Sequence, residues 1–270
     1  MQSYFLGHSV SNMEKWNGKI AVVTGGSAGI GAQFVKDLAK NGIHVIGLAR
    51  RHERIQEIAK ELGETPGKIY AYKCDVSDLQ SIKDAFKWIE ETFGYIHILV
   101  NNSGCARNIK ILSDEDVSQK IEEVIRTNFN GLVHVTREAF RLIKKSNDYG
   151  FICNINSNLG HRIPFPMDKN LSHNVYQGSK FAVTATSEVM RQELICQDND
   201  KIRVTSLSPG VVETEIFEAA GYIKEGEEQL FSKLPSIQAK DVSDAFMYLL
   251  STPYYVNVTE LTIKHQSQKT

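Results

Sequence analysis

Short apolar runs alternate along the chain with longer stretches in which apolar residues recur every three or four positions. Ile20-Ala-Val-Val-Thr24 is a near-continuous apolar run, the pattern of a strand buried on both faces. His44–Leu48, Ile69–Lys73, Ile96–Val100, Gly150–Ile155, Ile202–Leu207 and Glu260–Lys264 predict further strands, about seven in all. After the first strand, Ile30, Phe34, Val35 and Leu38 repeat with helical period, and Asn41-Gly42 ends the pattern. The same period predicts helices over 53–62, 78–93, 114–126, 131–145, 176–196 and 241–250, with Asn128 at the interruption between two of them.

Strands separated by helices of this length are joined as right-handed β-α-β units. The expected architecture is therefore α/β, a doubly wound parallel sheet with helices on both faces and ligands at the carboxyl ends of its strands. With 270 residues and no linker composition, residues 13–264 are expected to form a single domain. Residues 1–12, ahead of Met13 and the first strand, are expected to be a poorly ordered extension, and the polar tail 265–270 to be solvated.

Composition narrows the function classes. A formal charge of −1 gives no general attraction to nucleic acid. Cys74, Cys105, Cys153 and Cys196 are widely spaced, lack metal-ligand spacing, and read as free thiols buried beside apolar segments. No metal is expected, and a reducing, cytoplasmic setting fits. No apolar run reaches the ~18 residues of a membrane span, and the first twelve residues lack the pattern of a signal peptide. Asn257-Val-Thr259 matches a glycosylation sequon, which without such a signal reads as coincidence.

Three clusters carry candidate chemistry. In Thr24-Gly-Gly-Ser-Ala-Gly-Ile-Gly31, Gly25, Gly29 and Gly31 punctuate a strand-to-helix turn that contains Ser27, Ala28 and Ile30. Glycines permit a tight turn and close backbone approach to a pyrophosphate, and the following helix offers it unpaired N–H groups. This is the position of the dinucleotide turn in a Rossmann-type sheet. The second strand ends in Arg50-Arg51, where an NAD enzyme carries an acid for the ribose 2′-hydroxyl. Guanidinium suits a 2′-phosphate, so NADP(H) is expected over NAD(H); a solvated basic helix start is the competing reading. Third, Tyr176 and Lys180 stand four residues apart and share one helix face. An ammonium beside a phenol favours the phenolate, as acid/base catalysis near neutral pH requires.

The spacing of the glycine turn, followed by Tyr176-x-x-x-Lys180, resembles the short-chain dehydrogenase/reductase family, and the resemblance runs from about Lys15 to Lys264. Several roles are implied by that resemblance. Asp75-Val76 matches the adenine-contacting pair, and Asn101-Asn102-Ser103-Gly104 matches the N-N-A-G segment, with serine for alanine. Ser157 matches the serine that hydrogen-bonds the reacting oxygen, and Asn128 the asparagine that holds a water near the lysine. Pro209, Gly210, Val212 and Thr214 match the loop in which threonine binds the nicotinamide carboxamide. The implied catalytic set is Asn128, Ser157, Tyr176 and Lys180, and a homodimer or homotetramer is implied too.

Asn156–Arg162, Ser208–Glu215 and Leu250–Lys264 are further similar to the insect farnesol dehydrogenase subgroup and to the related family member 11 type. This implies a hydrophobic alcohol and its aldehyde or ketone as substrates, with a 3- or 17-hydroxysteroid dehydrogenase or general carbonyl reductase as the alternative. Residues 164–173 are long for that subgroup, and the amphipathic stretch 211–236 reads as a mobile lid or as a packed surface helix. A silent dinucleotide sensor is the alternative from another class; the presence of all four catalytic matches speaks against it.

Overall fold

The computed structural model describes residues 11–165, 174–221 and 234–269. Its seven strands are β1 (Ile20–Thr24), β2 (His44–Ala49), β3 (Ile69–Lys73), β4 (Ile98–Asn101), β5 (Gly150–Ile155), β6 (Ile202–Pro209) and β7 (Glu260–Ile263). All pairings are parallel, in the order β3-β2-β1-β4-β5-β6-β7. The helices are α1 (Ser11–Glu14), α2 (Gly29–Lys40), α3 (Glu53–Leu62), α4 (Leu79–Phe93), α5 (Ser118–Ile125), α6 (Leu132–Lys145), α7 (Asn174–Cys196), α8 (Ile216–Ala219) and α9 (Ala239–Ser251). This is the doubly wound Rossmann-type sheet expected from the pattern of apolar positions.

The two-residue period of each strand divides the core between the faces. Ala21 and Val23 of β1 join Phe34, Leu38, Phe246 and Leu249 on the α2/α9 side. Val22 points the other way, into the cluster with Phe86, Ile89, Val135 and Leu142 from α4 and α6. In β5, Phe151 and Cys153 face the first cluster and Ile152 the second. Because both faces are covered, the central strands β1 and β4 read as near-continuous apolar runs. Chain order reverses between β1 and its neighbours β2 and β4, which opens a crevice at their carboxyl ends.

Three local expectations need correction. Helix α5 starts at Ser118 rather than at 114. The Asp116 carboxylate accepts the Ser118 N–H at 2.9 Å, and Ser113 Oγ accepts the Glu115 N–H at 3.2 Å, so these side chains take the bonds a helix would use. Asn128 does not break a helix: α5 runs into α6 through a widened π-helical turn, Arg126–Gly131. Of the free cysteines, Cys74 and Cys153 are buried, but Cys105 is half-buried and Cys196, at the end of α7, is exposed.

The termini carry further detail. Ser11 and Asn12 begin helix α1; residues 1–10 lie outside the described residues, as do 166–173 and 222–233 of the two segments read as substrate territory. The tail, expected in solvent, docks in part: the Gln268 side chain accepts the Val211 N–H at 3.1 Å, and the Lys269 carbonyl accepts from Arg162 at 3.1 Å. Asn257 of the sequon bonds both main-chain groups of Val204, at 3.0 and 2.8 Å, which gives it a structural task.

Candidate active site

The turn after β1 is built by close backbone approach. Gly25 has φ +67°, a conformation that side-chain-bearing residues rarely adopt, and its N–H donates to the Leu48 carbonyl at 2.7 Å. A Cβ on Gly31 would stand 2.2 Å from the Gly25 carbonyl oxygen, so the first turn of α2 packs directly on the loop. Ala28 at the N-cap supplies no side-chain hydrogen bond to the helix start. The first N–H groups of this twelve-residue helix thus lack the side-chain cap that helix starts commonly carry, and they suit the phosphates of a dinucleotide.

The loop after β4 is stapled to this turn. Thr24 Oγ1 accepts the N–H groups of Asn102 and Ser103, each at 3.0 Å, while the Asn102 amide donates to the carbonyls of Thr24 at 3.0 Å and Gly25 at 3.3 Å. These four bonds hold the two loops together along the crevice. Gly104 faces Asn128 and Lys180; a Cβ there would lie 3.6 Å from Asn128 Oδ1 and 3.9 Å from Lys180 Nζ.

Beyond β2 and β3 lies a cleft of about 840 Å³ lined by Arg50, His52, Tyr72, Asp75 and Asp78 among others. Arg50 faces this cleft, whereas Arg51 and its neighbour Arg54 turn to the Glu215 carboxylate, each at 3.0 Å. Asp75 Oδ1 accepts the Ser77 N–H at 2.9 Å and its hydroxyl at 2.7 Å, which shapes the turn that presents buried Val76.

Ser157, Tyr176 and Lys180 converge at the end of β5. Buried Ser157 caps the short 3₁₀ turn Asn158–Gly160 by accepting the Leu159 N–H at 3.1 Å. That turn packs tightly on α7: a Cβ on Gly160 would be 2.7 Å from the Lys180 carbonyl oxygen. Lys180 is buried, donates to the Ile155 carbonyl at 2.8 Å, and stands 5.6 Å from the centroid of the Tyr176 ring. Tyr176 is half-buried, and burial pushes its phenol up to about 12 while a hydrogen bond with Ser157 pulls it down. Burial lowers Lys180 to about 8. The sequence predicts that Lys180 lowers the phenol; in the structure burial raises it instead, so the phenol stands ready as a proton donor.

Asn128 sits in the π-turn, 2% exposed. Its Oδ1 accepts the Cys105 N–H at 2.8 Å, and its amide donates to the Cys105 carbonyl at 2.9 Å and to Ser179 Oγ at 3.0 Å. The widened turn thereby locks the loop after β4 onto the first turns of α7. Thr214 packs against the glycine turn: a Cβ on Gly29 would be 3.0 Å from its Cγ2. Of the residues singled out in the sequence, Gly104, Asn128, Ser157, Tyr176 and Lys180 gather beyond β4 and β5, Thr214 meets Gly29, and Arg50 and Asp75 line one cleft, whereas Arg51 pairs with Glu215.

Several supporting contacts were not legible in the sequence. Asn101 bonds Thr136 at 2.7 Å and Asn154 at 2.9 Å; Asn154 bonds Ser187 at 2.9 Å; Asn156 bonds Thr184 at 2.8 Å and Ser206 at 3.2 Å. This buried amide ladder ties β4, β5, β6 and α7 together below the site. The available signal was asparagine in or just after the apolar runs of β4 and β5. His161 Nε2, 2.9 Å from Ser208 Oγ and 3.1 Å from Glu260, fastens the loop after β5 to β6 and β7.

A Rossmann-type sheet with a glycine turn and a Ser/Tyr/Lys cluster defines a dinucleotide-dependent oxidoreductase. Residues 19–222 match the short chain dehydrogenase family, and the chain belongs to it. It is 44% identical over 259 residues to a farnesol dehydrogenase of Aedes aegypti, covering 95% of this chain and all of that protein. It is 35% identical over 262 residues to dehydrogenase/reductase SDR family member 11 of Homo sapiens, covering 96% and 98% of the two chains. Among solved structures it is similar to the closed form of a serine dehydrogenase complexed with NADP⁺, with a TM-score of 0.81, 29% identity, and coverage of 93% and 96%. The chain is thus an oxidoreductase acting on CH–OH groups with a nicotinamide dinucleotide. No helix of the described residues is long and apolar enough to cross a membrane.

Proposed function

We propose that the protein interconverts a hydrophobic alcohol and its aldehyde or ketone with NADP(H), in the manner of a farnesol dehydrogenase. The observation that carries the chemistry is the convergence of Ser157, Tyr176 and Lys180 beside the glycine turn. The similarity to a farnesol dehydrogenase supports the substrate class.

The residues present fit the dinucleotide. Gly25, Gly29 and Gly31, with Ser27, Ala28 and Ile30 between them, leave backbone room for its phosphates at the start of α2. Arg50 and Arg51 would take the 2′-phosphate, Asp75 and Val76 the adenine, and Asn102, Ser103 and Gly104 the ribose side of the crevice. Pro209, Gly210, Val212 and Thr214 would hold the nicotinamide end. When bound, the cofactor supplies the hydride acceptor or donor.

The protein's own groups handle the proton and the oxygen. In reduction, Tyr176 gives its hydroxyl proton to the carbonyl oxygen, and Ser157 donates a hydrogen bond where the alkoxide charge develops. In oxidation, Tyr176 takes the alcohol proton after passing its own to neutral Lys180. Lys180, fixed by the Ile155 carbonyl, stabilises the phenolate and returns it to the protonated form through the Asn128 side of the site. Exposed Phe181, Val189 and Ile195 on α7 support assembly into a homodimer or homotetramer through that helix. Four unpaired cysteines support a reducing, cytoplasmic setting.

Steady-state turnover of farnesol, a steroid alcohol and a short secondary alcohol, each with NADP⁺ and NAD⁺, tests this reading. Farnesol with NADP⁺ is expected to give the highest kcat/KM. Undetectable farnesol turnover beside rapid steroid turnover would assign the site to hydroxysteroids, and equal or better use of NAD⁺ would reject the NADP(H) preference.

A further inference from the structure

The loop that follows β6 runs from the end of that strand to the glycine turn and to the segment after β2. Thr214 lies against Gly29 of the glycine turn, and the next residue, Glu215, contacts the segment after β2. Its Oε2 accepts from Arg51 at 3.0 Å, and its Oε1 accepts from Arg54 at 3.0 Å. Arg50, by contrast, faces the cleft beside Asp75 and takes no part in these ion pairs. One carboxylate therefore already neutralises an arginine pair at the end of β2, where a ribose 2′-phosphate is read.

These groups are half-exposed, with Arg51 at 53%, Arg54 at 44% and Glu215 at 52% side-chain exposure. An ion pair so open to water is weak and exchangeable. A phosphate dianion is the stronger partner for a guanidinium fork, and a carboxylate held against that fork repels it.

We propose that Glu215 is a cofactor-specificity residue. Its carboxylate occupies the Arg51 and Arg54 guanidiniums that a 2′-phosphate would take, so NADP(H) must exchange this ion pair in order to engage them, whereas NAD(H) need not. Glu215 thereby moderates the preference for NADP(H) rather than creating it. The inference rests on the reading that the 2′-phosphate goes to the arginines after β2.

The test is equilibrium binding of four probes: NADP⁺, NAD⁺, adenosine 2′,5′-bisphosphate and 5′-AMP. The last two isolate the adenosine end and differ only in the 2′-phosphate. Glu215→Gln keeps the size of the side chain and removes its charge. It is expected to tighten NADP⁺ and adenosine 2′,5′-bisphosphate by about tenfold at low salt and to leave NAD⁺ and 5′-AMP within about twofold. Unchanged or weaker binding of the 2′-phosphate probes would overturn the proposal, since Glu215 would then be indifferent to the phosphate or hold the arginines for it. Arg51→Gln separates this failure from that of the underlying reading. If it weakens the bisphosphate while Glu215→Gln does not tighten it, the arginine reading stands and the role of Glu215 falls. If Arg51→Gln leaves the bisphosphate unaffected, the role of Glu215 falls, and the arginine reading then stands or falls on whether Arg50→Gln weakens the bisphosphate.

Discussion

Lys180 donates its ammonium hydrogen bond to the main-chain carbonyl of Ile155 at 2.8 Å. Helix α7 is thus pinned to the last residue of β5, and the cation is held 5.6 Å from the centroid of the Tyr176 ring. Strand and helix are separate in sequence, so the bond converts a spacing of four residues into a fixed site.

The pH profile of reduction is expected to follow Lys180. Burial lowers its ammonium to about 8 and pushes the Tyr176 phenol up to about 12, so the phenol keeps its proton across the working range. Reductive kcat/KM should fall as pH rises through about 8, where Lys180 becomes neutral. In Lys180→Arg, which stays charged, the residual activity should lose that descending limb. A wild-type profile that stays flat to pH about 10 would separate the lysine from the proton step.

Asn128 should prove a structural hub as well as a site residue. Asn128→Ala leaves the Cys105 N–H and carbonyl and the Ser179 hydroxyl without their present partner in a buried π-turn. The expected loss is about 2–4 kcal/mol in urea unfolding, with reduced activity. A loss below about 1 kcal/mol would mean that other groups or water take over these bonds.

Glycine substitutions should separate by position. Gly31→Ala sets a Cβ 2.2 Å from the Gly25 carbonyl oxygen, so the turn must open; cofactor affinity should fall by about tenfold or more and stability by about 1–3 kcal/mol. Gly104→Ala meets its nearest atom at 3.6 Å and should change stability by less than about 1 kcal/mol. Comparable melting temperatures for the two variants would contradict the close approach at Gly31.

Acid sensitivity is expected from the opposite end of the sheet. His97 is buried, accepts the Ile20 N–H at 3.2 Å through Nδ1, and is lowered from 6.5 to about 4 by burial. The unfolded chain binds a proton on this residue between those values and the folded chain does not. Stability from this group is therefore complete above pH about 6.5 and is lost as pH falls toward about 4, a change of about 3 kcal/mol at most. His97→Gln should flatten unfolding free energy across that window, and an unchanged slope would assign the acid sensitivity elsewhere.

The strands and most helices were legible because both faces of the sheet are covered and each helix keeps one apolar stripe. Ala21, Val22 and Val23 alternate between two cores, yet all are apolar, so the run announces a buried strand without a partner in view. Tyr176, Lys180 and the glycine turn were legible because their chemistry depends on short spacing. The start of α5 was not: Asp116 and Ser113 divert backbone N–H groups that an apolar pattern cannot see. Asn128 looked like a helix break because its two main-chain bonds to Cys105 reach back 23 residues. The Glu215 contact with Arg51 spans 164 residues, so Arg51 could be assigned only its charge and not its partner.

The central claim is that Tyr176 carries the proton at a site assembled by Ser157 and Lys180. The most direct measurement compares the wild type with Tyr176→Phe in farnesol oxidation by NADP⁺, alongside the dissociation constant of NADP⁺ for each. The account predicts turnover reduced by about 10³-fold or more with cofactor affinity within about threefold. Turnover in Tyr176→Phe within about tenfold of wild type would contradict it and assign the proton to another group.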